Sequence, residues 1–102
     1  MILMTKAEFW DYGFRITGHS TKNARDSEGR ALCAAVSSAA YMAANTVTDI
    51  IGDKADISVS DGAMEFEVPS PSEKTKAVLS GLKLHLSELS KQYGTRLKIT
   101  EV

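Results

Sequence analysis

The sequence contains one cysteine, two prolines and one tryptophan among its 102 residues, and it has no long apolar run. One cysteine cannot form an internal disulfide, so the chain has no disulfide framework and fits a reducing compartment. No segment approaches the roughly 20 consecutive apolar residues of a membrane-spanning helix, and the N-terminus lacks the basic start and apolar stretch of a secretion signal. These features predict a cytoplasmic protein without membrane contact.

An excess of one charge is also missing, because 12 basic and 13 acidic side chains give a formal net charge of -1. A balanced charge provides no broad positive field of the kind that binds a nucleic-acid backbone. The single cysteine and the two distant histidines, His19 and His85, form no metal-binding set of recognised spacing, and no glycine-rich phosphate loop occurs. We therefore expect no direct nucleic-acid binding, no metal and no cofactor, and we interpret His85 as part of an exposed helix surface.

Apolar periodicity predicts a single α+β domain over residues 1–102, large enough to bury roughly 60–65% of its unfolded surface. Spacings of three and four residues indicate one helix that begins between residues 27 and 30 and ends at 51, and a second over 71–93. The ββαββαβ order favours a two-layer sandwich, in which two helices cover one face of a mostly antiparallel sheet and the other face is polar or contacts a partner. Alternating apolar residues indicate strands at 2–9, 12–18, 55–60, 63–68 and 96–102.

The first helix is expected to be capped by Asp26 or Ser27 and to end before Gly52. Its many alanines favour the helical conformation and permit close approach to a sheet or another helix. The phase of the helix places Cys33 in its first turn, beside the apolar stripe, with Ser37 one turn later. The stripe itself comprises Leu32, Val36, Ala39, Ala43, Val47 and Ile50.

Two short motifs predict the local structure around the second pair of strands. Asp61 and Gly62 form a two-residue hairpin connection in which both residues are expected to have positive φ. Residues 70–73, Ser-Pro-Ser-Glu, are expected to form a capping box with Pro71 in the first helical position, and Gly94 ends that helix. The residues expected to face inward from this helix and the last strand are Val78, Leu82, Leu86, Leu89, Tyr93, Leu97 and Ile99.

The only cysteine and one of the two histidines lie at opposite ends of a polar loop, residues 20–30. In the first turn of a helix, unpaired backbone N–H groups and the helix dipole favour a thiolate and can hold an oxyanion. A histidine within reach would stabilise the thiolate and later protonate a leaving amine. His19 and Cys33 are therefore candidates for nucleophilic catalysis, and Gly18 would let a substrate approach closely. The alternatives are a small buried Cys33 and an ordinary turn glycine.

The segments Gly-His-Ser at 18–20 and Gly-Arg-Ala-Leu-Cys-Ala-Ala-Val-Ser at 29–37 resemble the Prp family, the bacterial ribosomal-processing cysteine proteases. The resemblance extends to the length and the order of elements. It implies that Cys33 is the nucleophile, that His19 is the general base and acid, and that Ser37 is a small residue of the helix start, beside the substrate with Gly18.

The same resemblance implies a substrate and an assembly. Members of the family remove an N-terminal extension from large-subunit ribosomal protein twenty-seven, cutting after an aromatic residue in a mostly apolar tail. It further implies a homodimer, and a flexible cover formed by the loop between the histidine and the cysteine, which orders when substrate binds. The polar residues 21–30 are compatible with such a cover.

The sequence departs from the commonest family pattern just before the nucleophile. Many members have Gly-x-Asp-Ile-Val-Cys, whereas this chain has Gly-Arg-Ala-Leu-Cys, which is one residue shorter and lacks the aspartate. A role of that carboxylate in orienting the histidine therefore does not carry over. Asp26, Glu28 or a backbone carbonyl could substitute for it, or the site could work as a dyad.

Two other functions remain open from the sequence. One is a non-catalytic peptide-binding or ribosome-assembly module that holds a peptide in the same groove, and the other is a protein in which Cys33 is reversibly oxidised. The second needs an intermolecular partner because no resolving cysteine is present. The large apolar residues equally available to a substrate groove and to the core are Phe9, Trp10, Tyr12, Phe14, Met42 and Phe66.

Overall fold

The computed structural model describes residues 4–19 and 25–102. Its elements follow the predicted ββαββαβ order, and a short turn of wider or tighter helix follows each long helix. The elements are β1 (Thr5–Trp10), β2 (Gly13–Gly18), α1 (Ser27–Asn45) with a π-helical turn (Thr46–Ile51), β3 (Asp56–Ser60), β4 (Ala63–Glu67), α2 (Glu73–Tyr93) with a 3-10 turn (Gly94–Arg96), and β5 (Leu97–Glu101).

The five strands form one mixed sheet in the order β3-β4-β2-β1-β5. Strand β1 pairs in parallel with β5, and the other three pairings are antiparallel. The two helices contact each other, and α2 also packs against β5. The predicted two-layer α+β architecture with a mostly antiparallel sheet is therefore confirmed.

The core lies between the helices and one face of the sheet. On β1 the residues Thr5, Ala7 and Phe9 are buried in alternation with partly exposed neighbours. The ring of Phe14 on β2 stacks on Phe66 of β4 with their centroids 5.4 Å apart, because these residues are directly opposed in the strand pairing. The outer face is polar, as expected, and on it the Arg15 side chain bridges Glu8 and Glu65.

The lower half of the first helix departs from the predicted stripe. Leu32, Val36, Ala43 and Val47 are buried as expected, but Ile50 is 79% exposed. A π-helical turn has more residues per turn than an α-helix, so the residues after Asn45 rotate out of the predicted phase. Ala40 and Ala44, which are outside the predicted stripe, are also buried, and Ala39 of the stripe is partly buried against the core.

The start of α2 also differs from the prediction. Its N-cap is Ser72, whose hydroxyl oxygen accepts a hydrogen bond from the backbone N–H of Thr75 at 3.3 Å. Pro71 therefore precedes the cap and is not the first helical residue. The cause is Asp53, whose carboxylate accepts bonds from the Ser72 backbone N–H at 2.9 Å and the Thr75 hydroxyl at 2.5 Å, which fixes the cap at this residue. The helix ends before Gly94 as predicted.

The hairpin between β3 and β4 is confirmed, but only one of its two turn residues has positive φ. Gly62 has a φ of 76°, and no non-glycine residue of the described ranges, Asp61 included, has a positive φ. The left-handed conformation costs a non-glycine residue about 1–2 kcal/mol, and this turn requires it only at the glycine. On β3, the side chains of Ile57 and Val59 are half exposed because the strand lies at the edge of the sheet.

Within the described ranges, no helix combines the length and the apolar character needed to cross a membrane.

Candidate active site

The position of His19 is set by a glycine at the end of β2. Gly18 has a φ of 93°, and a Cβ atom there would lie 2.3 Å from the carbonyl oxygen of Met4. Its backbone N–H donates to the carbonyl oxygen of Gly62 at 2.9 Å. Only glycine fits this close approach and positive φ, so Gly18 ties the chain just before His19 to the turn of the β3–β4 hairpin.

The imidazole of His19 lies over that turn. A Cβ atom at Gly62 would come within 2.7 Å of Nε2, so the absence of a side chain at Gly62 makes room for the ring. Nε2 is 4.0 Å from Oδ1 of Asp61, the other residue of the turn. The His19 side chain is 56% exposed, which leaves part of the ring open to a ligand.

The thiol of Cys33 is half-buried on α1, but it does not lie in the first turn of the helix as the sequence predicts. The helix begins at Ser27, which makes Cys33 its seventh residue and places it in the second turn. The early start has a physical cause, since the Asp26 carboxylate accepts from the Gly29 backbone N–H at 3.2 Å and is held by two bonds from Arg96 at 3.1 and 3.0 Å.

This shift changes the chemistry available at the thiol. The free N–H groups of a helix belong to its first four residues, and a residue in the second turn donates its own N–H to the carbonyl four positions earlier. The first turn of α1 therefore provides no oxyanion donor beside Cys33, and the dipole effect is weaker there than at the helix end.

The four residues singled out in the sequence line one cleft between α1 and the sheet, although a polar loop separates them in the chain. Gly18, His19, Cys33 and Ser37 all border this cleft, whose volume is about 180 Å³. Of the predicted loop cover, residues 21–30, residues 21–24 lie outside the described residues, whereas residues 27–30 are not loop but the first turn of α1. The remaining residues that border the cleft are Thr5, Ile16, Val36, Ala40, Tyr41, Val59, Ser60, Gly62, Ala63 and Met64.

None of the six large residues proposed from the sequence borders this cleft. Phe9, Phe14 and Phe66 belong to the core, whereas Trp10 and Tyr12 line a separate cavity near the C-terminus and Met42 lies in a groove between the two helices.

The apolar rim residues that the sequence analysis missed are Tyr41, 44% exposed, and Val59, 53% exposed. Tyr41 carried a usable signal, because Cys33, Ser37 and Tyr41 follow one another at intervals of four residues along one face of α1.

The carboxylates are arranged differently from the sequence-based candidates. Asp26 pairs with Arg96, and the Glu28 carboxylate is 3.9 Å from Nε of the same Arg96. The carboxylate within 4.0 Å of His19 is that of Asp61, which the sequence analysis noticed only as a turn residue. Its proximity depends on the pairing of β2 with β4, where Thr17 opposes Ala63, and no local sequence signal reveals that register.

Among the described residues, no group of three or more histidine, cysteine, aspartate or glutamate side chains is placed to hold a metal ion. His85 lies exposed on α2 and borders the groove between the helices that also contains Met42, in agreement with its interpretation as helix surface.

Comparison with known proteins gives both a family and a fold. Residues 4–98 match the protein family described as cysteine protease Prp. A search of curated proteins returns no match to this sequence.

Among solved structures, the fold is similar to that of the ribosomal processing protease Prp from S. aureus, crystallised in complex with a covalently linked product peptide. The TM-score is 0.80 at 14% identity, over 99% of this chain and 100% of that chain. The same protease in complex with a substrate peptide gives a TM-score of 0.81 at 12% identity, again over 99% and 100% of the two chains. SMU.848 from Streptococcus mutans gives 0.81 at 18% identity, over 97% and 96%. At these identities the structural likeness establishes the fold alone.

Proposed function

The chain belongs to the cysteine protease Prp family and is a cysteine protease, and from this premise we propose that Cys33 is its nucleophile and His19 its general base and acid. The observation that supports these roles most directly is that the two side chains, carried by different layers of the fold, border the same cleft. A thiol and an imidazole in one partly exposed cleft are the minimum set for nucleophilic attack on a peptide carbonyl.

In this mechanism His19 accepts the proton of the Cys33 thiol, and the sulfur attacks the carbonyl carbon of the scissile bond. The tetrahedral intermediate collapses to an acyl-enzyme as the imidazolium protonates the leaving amine. A water molecule, deprotonated by the same imidazole, then hydrolyses the thioester and regenerates the thiol. Since the first turn of α1 does not reach Cys33, the donors to the oxyanion belong to other parts of the cleft or to the substrate-bound form.

The proposed substrate is the N-terminal tail of large-subunit ribosomal protein twenty-seven, cut after an aromatic residue. A cavity on the order of 150 Å³ with apolar walls holds a benzene ring, so a cleft of about 180 Å³ is large enough for one aromatic side chain. Buried Val36 and Met64 give the cleft an apolar floor, and Tyr41 and Val59 extend it at the rim. Gly18 and Ser37 are the proposed contacts to the peptide beside the scissile bond, because both leave space for its backbone.

The proposal includes a cytoplasmic homodimer that acts without a cofactor and without direct contact to nucleic acid or membrane. The near-zero net charge supports the absence of a nucleic-acid partner. The dimer is tested by analytical ultracentrifugation of the purified chain at micromolar concentration, where a single species of monomer mass would contradict it.

The activity is tested by mixing the protein with a synthetic peptide that copies the N-terminal tail of ribosomal protein twenty-seven from the same organism and following the products by mass spectrometry. We expect one cleaved bond with the wild type and none with Cys33→Ser, because a hydroxyl is a far weaker nucleophile than a thiolate at neutral pH.

His85→Ala is the matched control for His19→Ala, since both remove an imidazole but only His19 borders the cleft. Cleavage by Cys33→Ser at the wild-type rate would rule out the proposed nucleophile. If the wild type and Cys33→Ser bind the peptide equally and neither cleaves it, the chain is instead a peptide-binding module.

A further inference from the structure

The turn of the β3–β4 hairpin carries a carboxylate beside the histidine of the cleft. Oδ1 of Asp61 is 4.0 Å from Nε2 of His19, and the Asp61 side chain is fully exposed. The two acidic residues near the start of α1 that were candidates to orient His19, Asp26 and Glu28, face Arg96. Asp61 is thus the carboxylate that the fold brings to the imidazole, and it comes from a different element than the loop before the nucleophile.

We propose that Asp61 is a positioning residue for His19, accepting a hydrogen bond from Nε2–H when the enzyme works. This inference rests on the proposed function, because it assigns a role relative to the general base of that mechanism. A carboxylate on Nε2 holds the neutral ring in the tautomer with its proton on Nε2. The lone pair is then on Nδ1, which is the atom left to take the proton of the Cys33 thiol.

The backbone around the turn makes this pairing more than a chance approach of two surface side chains. Gly18, the residue before His19, donates to the Gly62 carbonyl at 2.9 Å, so the histidine and the turn are held to each other by a main-chain hydrogen bond. The ring also lies so close to Gly62 that a Cβ atom there would be 2.7 Å from Nε2. Nε2 therefore lies next to the turn that carries Asp61.

The observed separation exceeds a hydrogen bond, for which an N–H···O distance of about 2.7–3.2 Å is usual. A side chain rotation of Asp61 is sufficient to close the remaining distance of roughly 1 Å, since the carboxylate is exposed and not packed. Catalytic hydrogen bonds are often long in the free enzyme and tighten when the substrate is bound. The carboxylate would then stabilise the imidazolium that forms when Nδ1 takes the thiol proton, as the acidic member of a catalytic triad does.

The test compares Asp61→Ala, Asp61→Asn and Asp61→Glu with Asp56→Ala, measuring kcat and KM on the tail peptide. Asp56 is the matched control because it is an exposed aspartate at the opposite end of β3. An exposed charge pair has a modest effect, so we expect Asp61→Ala to lower kcat by about two- to fivefold with KM unchanged. Asp61→Glu should restore most of the rate, because its carboxylate reaches the same nitrogen, while Asp56→Ala should equal the wild type.

A second measurement separates this inference from the proposed function. The rate of alkylation of Cys33 by iodoacetamide, followed by mass spectrometry, reports the coupling of the thiol to His19 without any peptide. We expect both Asp61→Ala and His19→Ala to lower the rate at which Cys33 is alkylated.

If the wild type cleaves the peptide and Asp61→Ala matches Asp56→Ala in kcat and in alkylation, the inference is overturned and the peptidase stands. If the wild type cleaves no peptide, the proposed function fails, and the alkylation rates alone decide the role of Asp61. Should Asp61→Ala prove unfolded by its thermal transition, Asp61→Leu decides the same question, because leucine is of similar size and has no hydrogen-bond acceptor, whereas the amide oxygen of Asp61→Asn could still accept from Nε2–H.

Discussion

Replacing Gly62 with alanine tests whether the hairpin turn holds the imidazole in its working position. The new Cβ atom would lie 2.7 Å from Nε2 of His19, and an ordinary contact begins at 3.4 Å, so the ring has to move by about 0.7 Å. It can do so because the side chain is half exposed. A misplacement of about 1 Å in a catalytic group can cost on the order of 100-fold in rate, so we expect kcat/KM to fall roughly 10- to 100-fold.

The same substitution also strains the backbone, and the two effects have to be separated. Gly62 has a φ of 76°, a conformation that costs a residue with a Cβ atom about 1–2 kcal/mol. In a domain of this size each kcal/mol lowers Tm by about 4–8 °C. Gly52→Ala is the matched control, because Gly52 has a similar φ of 88° but a Cβ atom there would meet no other atom within 4 Å.

The assay measures Tm and peptide cleavage for both variants at a temperature where both are folded. We expect a similar loss of Tm in the two proteins and a loss of kcat/KM in Gly62→Ala alone. If the two variants cleave the peptide equally well, the turn does not position His19, and the role assigned to Asp61 loses its structural support as well.

Two further predictions concern the devices that fix the helices. The pKa of Asp53 is held below its usual value of 3.8 by the Thr75 hydroxyl first, then by the backbone N–H and the hydroxyl of Ser72. The ionised carboxylate therefore stabilises the fold fully above about pH 3.8, and this stabilisation is lost as the pH falls through the folded-state pKa. Asp53→Ala should therefore unfold at lower urea concentration than the wild type at pH 7, with the gap narrowing below pH 3.8, and a gap that does not change with pH would contradict this reasoning. Asp26→Ala removes the cap of α1 and its bonds to Arg96, and we expect it to lower the free energy of unfolding by about 1–2 kcal/mol. The control Glu28→Ala removes an exposed contact 3.9 Å long and should cost less than about 0.5 kcal/mol. Equal losses of the two variants in urea denaturation would show that the cap does not stabilise the helix.

The order of elements was predictable because it depends on local periodicity and on turn residues such as Gly52 and Gly94, which end the helices as expected. The errors arose where a distant contact decided the local structure. Asp26 was one of the two predicted caps of α1 and is confirmed, but a first-turn Cys33 needed a later helix start. Arg96, from the far end of the chain, holds Asp26 at the cap, and Cys33 therefore lies in the second turn. Asp53 fixes the start of α2 in the same way.

The two residues proposed as reactive could be singled out from the sequence, but their surroundings could not. Cys33 and His19 are each chemically distinctive and each stands in a sequence motif, and the structure places both at one cleft. Asp61 could not be singled out, since its approach to His19 follows from the pairing of β2 with β4 across more than 40 residues of chain. The sheet order that makes this pairing is a property of the whole fold, and a periodicity of two or of 3.6 residues contains no information about it.

These observations divide the site between the two layers of the fold, each with its own anchor. His19 belongs to the sheet and is held by the main-chain bond between Gly18 and Gly62, whereas Cys33 belongs to the helical layer and depends on the cap at Asp26.

The separation of the imidazole and the thiol is then set by the packing between the layers. Ala40 of α1 and the sheet residues Ile16 and Met64 are nearly buried, and all three border the cleft between the two layers. A small side chain on the helix lets the layers approach closely, and packed interiors do not absorb added volume without moving their neighbours. In the proposed mechanism Ala40 therefore contributes to the distance over which the proton moves between Cys33 and His19.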